Sequence, residues 1–450
     1  MRILRPLRHR DFRLLWTGMT TSLIGDGIFI VALAWQVYDL SNAPAALAIV
    51  GVAMTVPQVL FLLLGGVVSD RLDRRLVMVF ADALRALSLI ALGLLTFAPE
   101  GTLQIWHIMI VAAAFGAGTA FFGPAFDAIV PQLVPARDLN QANSLDQFMR
   151  PAAARMLGPA VGGWLIAIWG TGAAFLIDAG TFVLSIVCVA LIRARHVKRD
   201  ADEESTGWQD IKEGFRFVRS RTWLWGTFLA ATLAYLIFWG PDEVLLPFVV
   251  INHMGGSASD LGMILALGGV GAMFAAIVMG NREVPRRHIT FMYVVWTLST
   301  LAVAGYGLAS FPWQAMVVSF VFNALEGAGT IVWATTKGRL VPARLLGRVS
   351  SFDWFISIGL VPLSFAVTAP VAAVLGARAT LVGAGVLGAI VTLGFLFLPG
   401  MRDVERSGDL ARASVDDEDM ELAALAEGMM VPVGVVERPS RASETAESGS

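Results

Sequence analysis

The chain has 450 residues, of which 56% are hydrophobic and 15% are charged. Soluble domains carry about 25% charged residues, so this composition excludes a soluble globule of this length. The formal net charge is −2, and the basic residues lie in separate short segments, which does not favour nucleic-acid binding. The single cysteine, Cys188, excludes an intrachain disulfide.

Long apolar runs predict an all-α membrane protein. A helix needs about 20 apolar residues to cross the hydrocarbon core of a bilayer. The sequence contains twelve such runs, and we expect them to form two bundles of six spans. They lie at about 12–38, 44–68, 76–97, 104–126, 144–168, 173–193, 223–250, 260–280, 289–309, 313–336, 350–374 and 378–398.

The positive charges alternate along the chain and so predict its orientation. Lys and Arg are concentrated before the first span and in every second gap, whereas the other gaps are nearly free of them. Arg378, at the start of the last span, is the exception. Cytoplasmic loops are the ones that carry excess Lys and Arg, so both termini are predicted to be cytoplasmic. The basic N-terminus without a clear cleavage site predicts a retained first span rather than a signal peptide.

A repeat divides the chain into two halves. Residues 133–149 and 340–356 are identical at nine of seventeen positions, at a constant offset of 207. Many secondary transporters are built from such duplicated units, with the working site between them. The predicted domains are an N-terminal six-span bundle, a linker with an amphipathic helix on the cytoplasmic membrane face, a C-terminal six-span bundle and a disordered acidic cytoplasmic tail, at 1–193, 194–222, 223–398 and 399–450.

The gap between spans two and three combines glycine, acids and arginines, which predicts a tight turn at the membrane edge. The residues in question are Gly66, Asp70, Arg71, Asp73, Arg74 and Arg75. This pattern resembles the signature loop of the major facilitator superfamily, G-x-x-x-D-R-x-G-R-R, with Asp73 in place of the later glycine. The resemblance implies a gating loop, and residues 280–287 resemble the decayed second copy of that loop.

Span five contains Gly158, Pro159, Gly162 and Gly163, where proline predicts a kink and small residues predict close helix packing. This run is similar to the G-P-x-x-G-G motif of antiporters in the same superfamily, and the glycines of span eight, at 268, 269 and 271, are its expected packing partners. The opening of the chain is similar to the enterobactin-exporter-like and macrolide-efflux-like branch. The drug-antiporter pattern places an arginine in span four, and residues 112–126 contain none.

Ionisable residues inside predicted spans are costly, about 2.5–3.5 kcal/mol on insertion scales, so they need a cavity or a partner. Asp26 in span one and Glu326 in span ten are the main candidates for binding protons or a cationic substrate, because the resemblance implies that these spans line a central cavity. Glycines on both sides of Asp26 suggest that its side chain is uncrowded. Arg155 in span five is a third candidate for this site, and because it is deep it also needs a partner. A structural polar role is the alternative for each.

Other charged residues favour simpler roles. Asp82 and Arg85 have the i, i+3 spacing of a structural pair on the cytoplasmic side, and Asp146 and Arg150 have the i, i+4 spacing of another. The repeat-related acids Asp146 and Asp353 are predicted to cap helix starts, with a gate latch as the alternative. Three further acids are predicted to lie near external ends and to be solvated, namely Asp178, Asp242 and Glu243.

The sequence contains no phosphate loop, no H-E-x-x-H or Cys/His cluster and no G-x-S-x-G motif, so neither an enzyme nor a bound cofactor or metal is predicted. The hypothesis is a secondary transporter in the cell membrane, acting as a monomer. It would export a small amphiphilic compound, an antibiotic or a siderophore, by alternating access with the proton gradient as its energy source. A nutrient importer on the same fold and a non-transporting receptor or enzyme are the alternatives.

Overall fold

The computed structural model describes residues 2–193, 207–282 and 284–407, and it is helical almost throughout. The N-terminal half begins with a short 3-10 helix, Arg2–Arg8, and continues through six α-helices and one π-helix. These elements are α1 (Arg10–Leu40), α2 (Pro44–Arg71), α3 (Arg74–Thr96), α4 (Ile105–Leu133), α5 (Ala136–Arg150), the π-helix Pro151–Leu157 and α6 (Gly158–Ala190).

A short amphipathic helix, α7 (Gly207–Arg219), precedes the C-terminal half. The remaining helices are α8 (Thr222–Met254), α9 (Ala258–Gly280), α10 (His288–Leu308), α11 (Pro312–Leu340), α12 (Ala343–Gly359), α13 (Val361–Leu375), α14 (Ala377–Leu396) and α15 (Asp403–Arg406). Val218 on α7 is buried, and the ring of Phe215 lies 6.2 Å from that of Phe352 on α12. The predicted amphipathic helix therefore packs on the C-terminal half.

Eleven described segments are long and apolar enough to cross a membrane. One of them, Phe148–Ala190, has 43 residues, and as one straight helix it would be about 65 Å long, twice the hydrocarbon thickness. Gly170 interrupts it with φ 78° and ψ 175°, a conformation that glycine adopts readily. Gly376, with φ 85°, separates α13 from α14 in the second half. The long segment therefore has room for two crossings, which is compatible with twelve spans.

The helix bounds reproduce the sequence repeat. Helix α4 ends at Leu133 and α11 at Leu340, and the helices that follow begin at Ala136 and Ala343. Each of these two helices follows a proline with non-helical backbone angles, φ −60° and ψ 151° at Pro135 and φ −52° and ψ 136° at Pro342. Proline disfavours helical conformation in the residue before it, so the chain breaks at the same place in both halves.

Helix packing also repeats. In the first half α1 packs on α6, α2 on α4, and α3 on both α4 and α6. In the second half α8 packs on α14, α9 on α11, and α10 on both α11 and α14. The halves meet where α2 contacts α8 and α13, and where α6 and the π-helix contact α9.

The folded part extends past the predicted boundary at residue 398. Met401 is fully buried, and both carboxylate oxygens of Glu405 on α15 accept hydrogen bonds at the start of α10. Their donors are the backbone N–H of Thr290, at 3.0 Å, and its hydroxyl, at 2.7 Å. The predicted disorder of the tail falls on residues 408–450, and most of the linker, 194–206, likewise lies outside the described residues.

Candidate functional site

Asp26 lies deep in α1 and approaches α3. It is 16 residues from the start of the helix, which corresponds to about 24 Å. Its Oδ1 lies 3.8 Å from Nη1 of Arg85, and the Asp26 side chain is 25% exposed whereas that of Arg85 is 3% exposed. Opposite charges at this distance attract each other far more strongly in a protein interior than in water. In the structure Asp26 therefore lies beside Arg85, which the sequence spacing had assigned to a separate pair with Asp82.

Arg85 is held on α3 by its own helix and by aromatic rings. It donates a hydrogen bond to Asp82, as the i, i+3 spacing predicted. Its guanidinium carbon lies 5.8, 4.9 and 4.4 Å from the ring centroids of Phe115, Phe122 and Phe182. Cations are attracted to aromatic faces within about 6 Å, so these rings stabilise the charge in a buried position.

Arg85 also places a positive charge against α4. A Cβ added to Gly118 of α4 would lie 2.8 Å from Cγ of Arg85, so the stem of the arginine runs directly over this glycine. Helix α4 has no basic residue of its own at 112–126. The neighbouring helix therefore supplies a cation near the span in which the drug-antiporter pattern would have placed one.

Asp178 on α6 is the acid whose position the sequence misjudged. It was predicted to be solvated near an external end, yet it is fully buried. Its Oδ1 accepts a hydrogen bond from the hydroxyl of Thr181 at 3.1 Å, and its Oδ2 has no hydrogen-bond partner among the described residues. The helix restarts after Gly170, eight residues earlier, which places Asp178 about 12 Å inside the bundle.

The glycines beside Asp26 serve close helix approach. A Cβ on Gly25 would lie 2.0 Å from Oδ1 of Asp178, and one on Gly27 would lie 2.7 Å from Cα of Gly158. These glycines let α6 approach α1 on both sides of Asp26, whose own side chain is still 25% exposed. Asp26, Asp82, Arg85 and Asp178 are therefore gathered between α1, α3 and α6, and we call these four residues the charge cluster.

Arg155 and Glu326 belong to a different group. Glu326 accepts a hydrogen bond from the hydroxyl of Thr330 at 2.9 Å. Arg155, on the π-helix of the first half, lies within electrostatic range of Glu243 and Tyr235 on α8, and Tyr235 lies within range of Glu326. The three residues predicted to bind protons or substrate therefore fall in two places, one inside the first half and one between the halves.

Side-chain hydrogen bonds between the halves, among residues whose side chains are described, lie toward the predicted external end. This end holds the last turns of α1 and α8. The bonds join the Tyr38 hydroxyl to the Val244 carbonyl at 2.5 Å, the Asn42 and Asn252 amides to each other at 2.6 and 2.8 Å, and the Ser259 hydroxyl to the Gly163 carbonyl at 3.4 Å.

The sequence matches the family of transmembrane secretion effectors, a branch of the major facilitator superfamily, over residues 2–435. The chain belongs to this family. It is therefore a multi-pass membrane transporter of small molecules and not an enzyme, as its composition and motifs predicted.

Curated relatives cover most of the chain. Macrolide efflux protein A of Streptococcus pyogenes is 23% identical over 363 residues, which are 80% of this chain and 88% of that protein. Multidrug efflux pump Tap of Mycolicibacterium fortuitum is 27% identical over 410 residues, 86% of this chain and 95% of that protein. The resemblance to the macrolide-efflux-like branch is confirmed.

Solved transporters share the fold. The nucleoside transporter NupG matches with a TM-score of 0.65 at 11% identity, over 86% of this chain and 98% of that one. A bacterial homologue of the human lysosomal transporter Spinster, in an inward-facing and unoccupied conformation, matches with a TM-score of 0.58 at 14% identity, over 90% and 97% of the two chains. At these identities the likeness concerns the fold alone.

The transporter's gating-loop motif is mostly helical. Helix α2 continues through Gly66, Asp70 and Arg71, so the predicted loop is reduced to the turn before Arg74, the first residue of α3. Asp73 is the N-cap of α3, and its Oδ1 accepts a hydrogen bond from the backbone N–H of Arg75 at 2.9 Å. A carboxylate suits this position because it satisfies a free helix N–H and complements the helix dipole, which accounts for an aspartate where the signature has glycine.

Arg75 ties this turn to the end of α6. Its guanidinium Nη1 donates to the backbone carbonyl of Ile192, and its Nε lies 3.8 Å from Oδ1 of Asp73. The described part of the motif thus connects α3 to the segment that leaves the first half.

The antiporter-like motif packs α6 on two different helices. A Cβ on Gly158 would lie 2.5 Å from the Ile24 carbonyl, and one on Gly162 would lie 2.9 Å from Cα of Ile28, so both glycines face α1. Gly163 faces the other half, where an added Cβ would lie 3.2 Å from Cα of Gly262 on α9. The predicted close packing is confirmed, and the motif joins α1 to the interface between the halves.

A π-helix, Pro151–Leu157, stands where Pro159 predicted a kink. Pro159 has no N–H for the carbonyl four residues earlier, which belongs to Arg155. Helix α9 approaches this carbonyl, and a Cβ on Gly269 would lie 2.7 Å from it. Gly269 therefore packs on this region as predicted, whereas Gly268 and Gly271 pack on α11 instead.

The repeat-related acids are not at helix starts. Helix α5 begins ten residues before Asp146 and α12 begins ten residues before Asp353, so the capping prediction is wrong for both. Asp146 accepts a hydrogen bond from Arg150 at 2.7 Å, as its spacing predicted. Asp353 accepts hydrogen bonds from Lys337 at 2.7 Å and from the Trp333 indole N–H at 2.9 Å, both on α11.

Proposed function

We propose that this transporter exports a small amphiphilic compound, such as an antibiotic or a siderophore, in exchange for protons. The observation that carries the proposal is the charge cluster deep in the first half, where three carboxyl groups surround the Arg85 guanidinium and Arg150 of α5 lies within electrostatic range of Asp26. The relatives that are named as macrolide and multidrug efflux pumps support the direction of transport and the class of substrate.

The proton chemistry follows from the balance of charges. Arg85 balances one of the three carboxylates, and Arg150, which lies within electrostatic range of Asp26, is also paired with Asp146. A further buried negative charge costs several kcal/mol. The cluster therefore holds protons in at least part of the transport cycle. Asp82 and Asp178 are fully buried, whereas the Asp26 side chain is 25% exposed. Asp26 is the acid that exchanges its proton with water.

The cluster acts on the halves through α1. When Asp26 is ionised, its attraction to Arg85 draws α1 toward α3, and when Asp26 is protonated this attraction is lost. Helix α1 contacts the antiporter-like motif at Gly27 and Gly158, and the motif contacts α9 of the other half at Gly163. Proton binding thus changes the relative energies of the two arrangements of the halves that alternating access requires.

The driving force is sufficient for accumulation. A membrane potential supplies about 2.3 kcal/mol per charge per 100 mV, which corresponds to roughly fifty-fold accumulation for each net charge moved. The protein needs no bound cofactor for this cycle, and the cell membrane provides the gradient. A single copy contains both halves and is the functional unit of the proposal.

The substrate is found by screening. The protein is expressed in a strain that lacks its own efflux pumps, and a panel of antibiotics and siderophores is tested for raised resistance or export. An uncoupler that collapses the proton gradient should abolish the effect for the compounds that the protein exports.

Proton coupling is tested in inverted membrane vesicles with a compound from that screen. We expect Asp26→Asn to reduce gradient-driven uptake at least about ten-fold, since the exchangeable proton is lost. Asp39→Asn is the matched control, because Asp39 lies on the same helix and is exposed at its external end. Full gradient-driven uptake by a well-expressed Asp26→Asn variant, with unchanged pH dependence, would falsify the assignment.

A further inference from the structure

A cavity lies in the C-terminal half, away from the charge cluster. It has a volume of about 320 Å³, near the lower limit of small-molecule pockets. Helices α9, α10 and α11 form its walls, and its lining is almost wholly apolar. The side chains that shape it are Phe274, Val278, Phe291, Val295, Leu325 and Ala328. We call this cavity the α9–α11 groove.

The groove faces the surrounding lipid. Phe274 in its wall is 53% exposed, and Ile277, one turn further along α9, is 58% exposed. On α11, Leu325 and Ala328 line the groove and share a helix face by i, i+3 spacing, whereas Glu326 lies about 100° around the helix. The groove is therefore separate from the charged group between the halves.

The groove ends at a positively charged edge. Arg282, just past the end of α9, lines its mouth. Arg286 and Arg287, just before α10, are exposed nearby in the chain. This is the predicted cytoplasmic end, where the inner leaflet carries anionic lipids and attracts basic residues. From Phe274 to Arg282 the wall extends about 12 Å along the helix direction.

These features describe one kind of ligand. An apolar lining offers no hydrogen bonds to water, so water is a poor occupant. An acyl chain needs no such bonds and fills an apolar slot that is open to the membrane. A phosphate at the mouth would accept charge-assisted hydrogen bonds from Arg282. We propose that the α9–α11 groove binds one acyl chain of an anionic phospholipid of the inner leaflet, with its phosphate held by Arg282.

The proposal is tested by lipid binding and not by transport, so its outcome is independent of the proposed export function. The purified full-length protein is titrated with phosphatidylglycerol or with phosphatidylcholine in neutral detergent, and bound lipid is counted by native mass spectrometry. We expect tighter binding of phosphatidylglycerol, and a loss of about five-fold in its affinity in Arg282→Gln. Arg339→Gln is the control, because Arg339 is exposed near the same end without lining the groove.

A second variant tests the apolar wall. Ala328→Trp fills the groove and should remove the tight phosphatidylglycerol site, and Ala328→Leu replaces it if the larger residue prevents folding. Equal binding of the two lipids would overturn the proposal. So would equal effects of Arg282→Gln and Arg339→Gln, or unchanged binding in the filled variant.

Discussion

The two halves place different chemistry at corresponding seams. In the first half, the seam between α1, α3 and α6 holds the charge cluster. In the second half, α8, α10 and α14 pack in the same pattern, and there the Thr227 and Tyr293 hydroxyls lie 3.1 Å apart while Thr300 bonds its own helix. Hydroxyl groups and packing therefore suffice to assemble this three-helix seam. Three acids and an arginine in its counterpart indicate a role that assembly alone does not require.

Removing Arg85 should give the largest loss of stability among the variants that compare the two halves. Arg85→Leu leaves Asp82 buried without its partner, and breaking a buried pair costs about 3–5 kcal/mol. The measurement is the free energy of unfolding in mixed detergent micelles. Tyr293→Phe, at the corresponding seam, is the control and should cost about 1 kcal/mol, the net worth of one hydrogen bond.

A second variant separates charge from packing in the same experiment. Arg85→Leu combined with Asp82→Asn removes both charges of the pair and should recover much of the lost stability. If the double variant is as unstable as Arg85→Leu, the cost lies in lost packing on the Phe115, Phe122 and Phe182 rings and not in the unpaired charge.

The sequence predicted the membrane spans and the repeat better than it predicted which side chains meet when the helices pack. Membrane spans follow from runs of about 20 apolar residues, and the repeat follows from identical residues at a fixed offset, so both are legible without a structure. The contact between Asp26 and Arg85 depends on how α1 and α3 pack, and residues 59 positions apart carry no local signal of it. Arg85 was consequently assigned to Asp82 alone.

Two further differences have separate causes. The burial of Asp178 was missed because the predicted span, 173–193, begins only five residues before it, and the packing of α1 over it at Gly25 carries no local sequence signal. The acids Asp146 and Asp353 were placed at helix starts because the apolar run begins near them. The helices begin earlier, in polar sequence after Pro135 and Pro342, where hydropathy gives no signal.

Disturbing the close contact between α1 and α6 should give the next largest loss of stability. In Gly25→Ala the new Cβ would lie 2.0 Å from Oδ1 of Asp178 and 2.3 Å from the hydroxyl oxygen of Thr181, so these two side chains must shift out of their present contact or the helices must separate. We expect a loss of about 1–3 kcal/mol in unfolding free energy, as for other overpacked interiors. Gly180→Ala is the control on α6, because a Cβ there meets nothing within 4 Å. Equal stability of the two variants would show that the contact at Gly25 is looser than the structure has it.

Replacing the repeat-related acids should give the smallest losses of stability, and it compares equivalent positions of the two halves directly. Asp353→Asn removes the negative charge that Lys337 and Trp333 share, and the side chains of Asp353 and Lys337 are only 16% and 13% exposed. We expect it to cost about 1.5 kcal/mol, because hydrogen bonds to charged groups in partly buried positions are worth more than neutral ones. Asp146→Asn breaks one intrahelical pair whose arginine is 37% exposed, and it should cost about 0.5 kcal/mol. Unfolding in mixed micelles measures both, and a larger loss for Asp146→Asn would mean that the repeated acid stabilises the first half through contacts beyond Arg150.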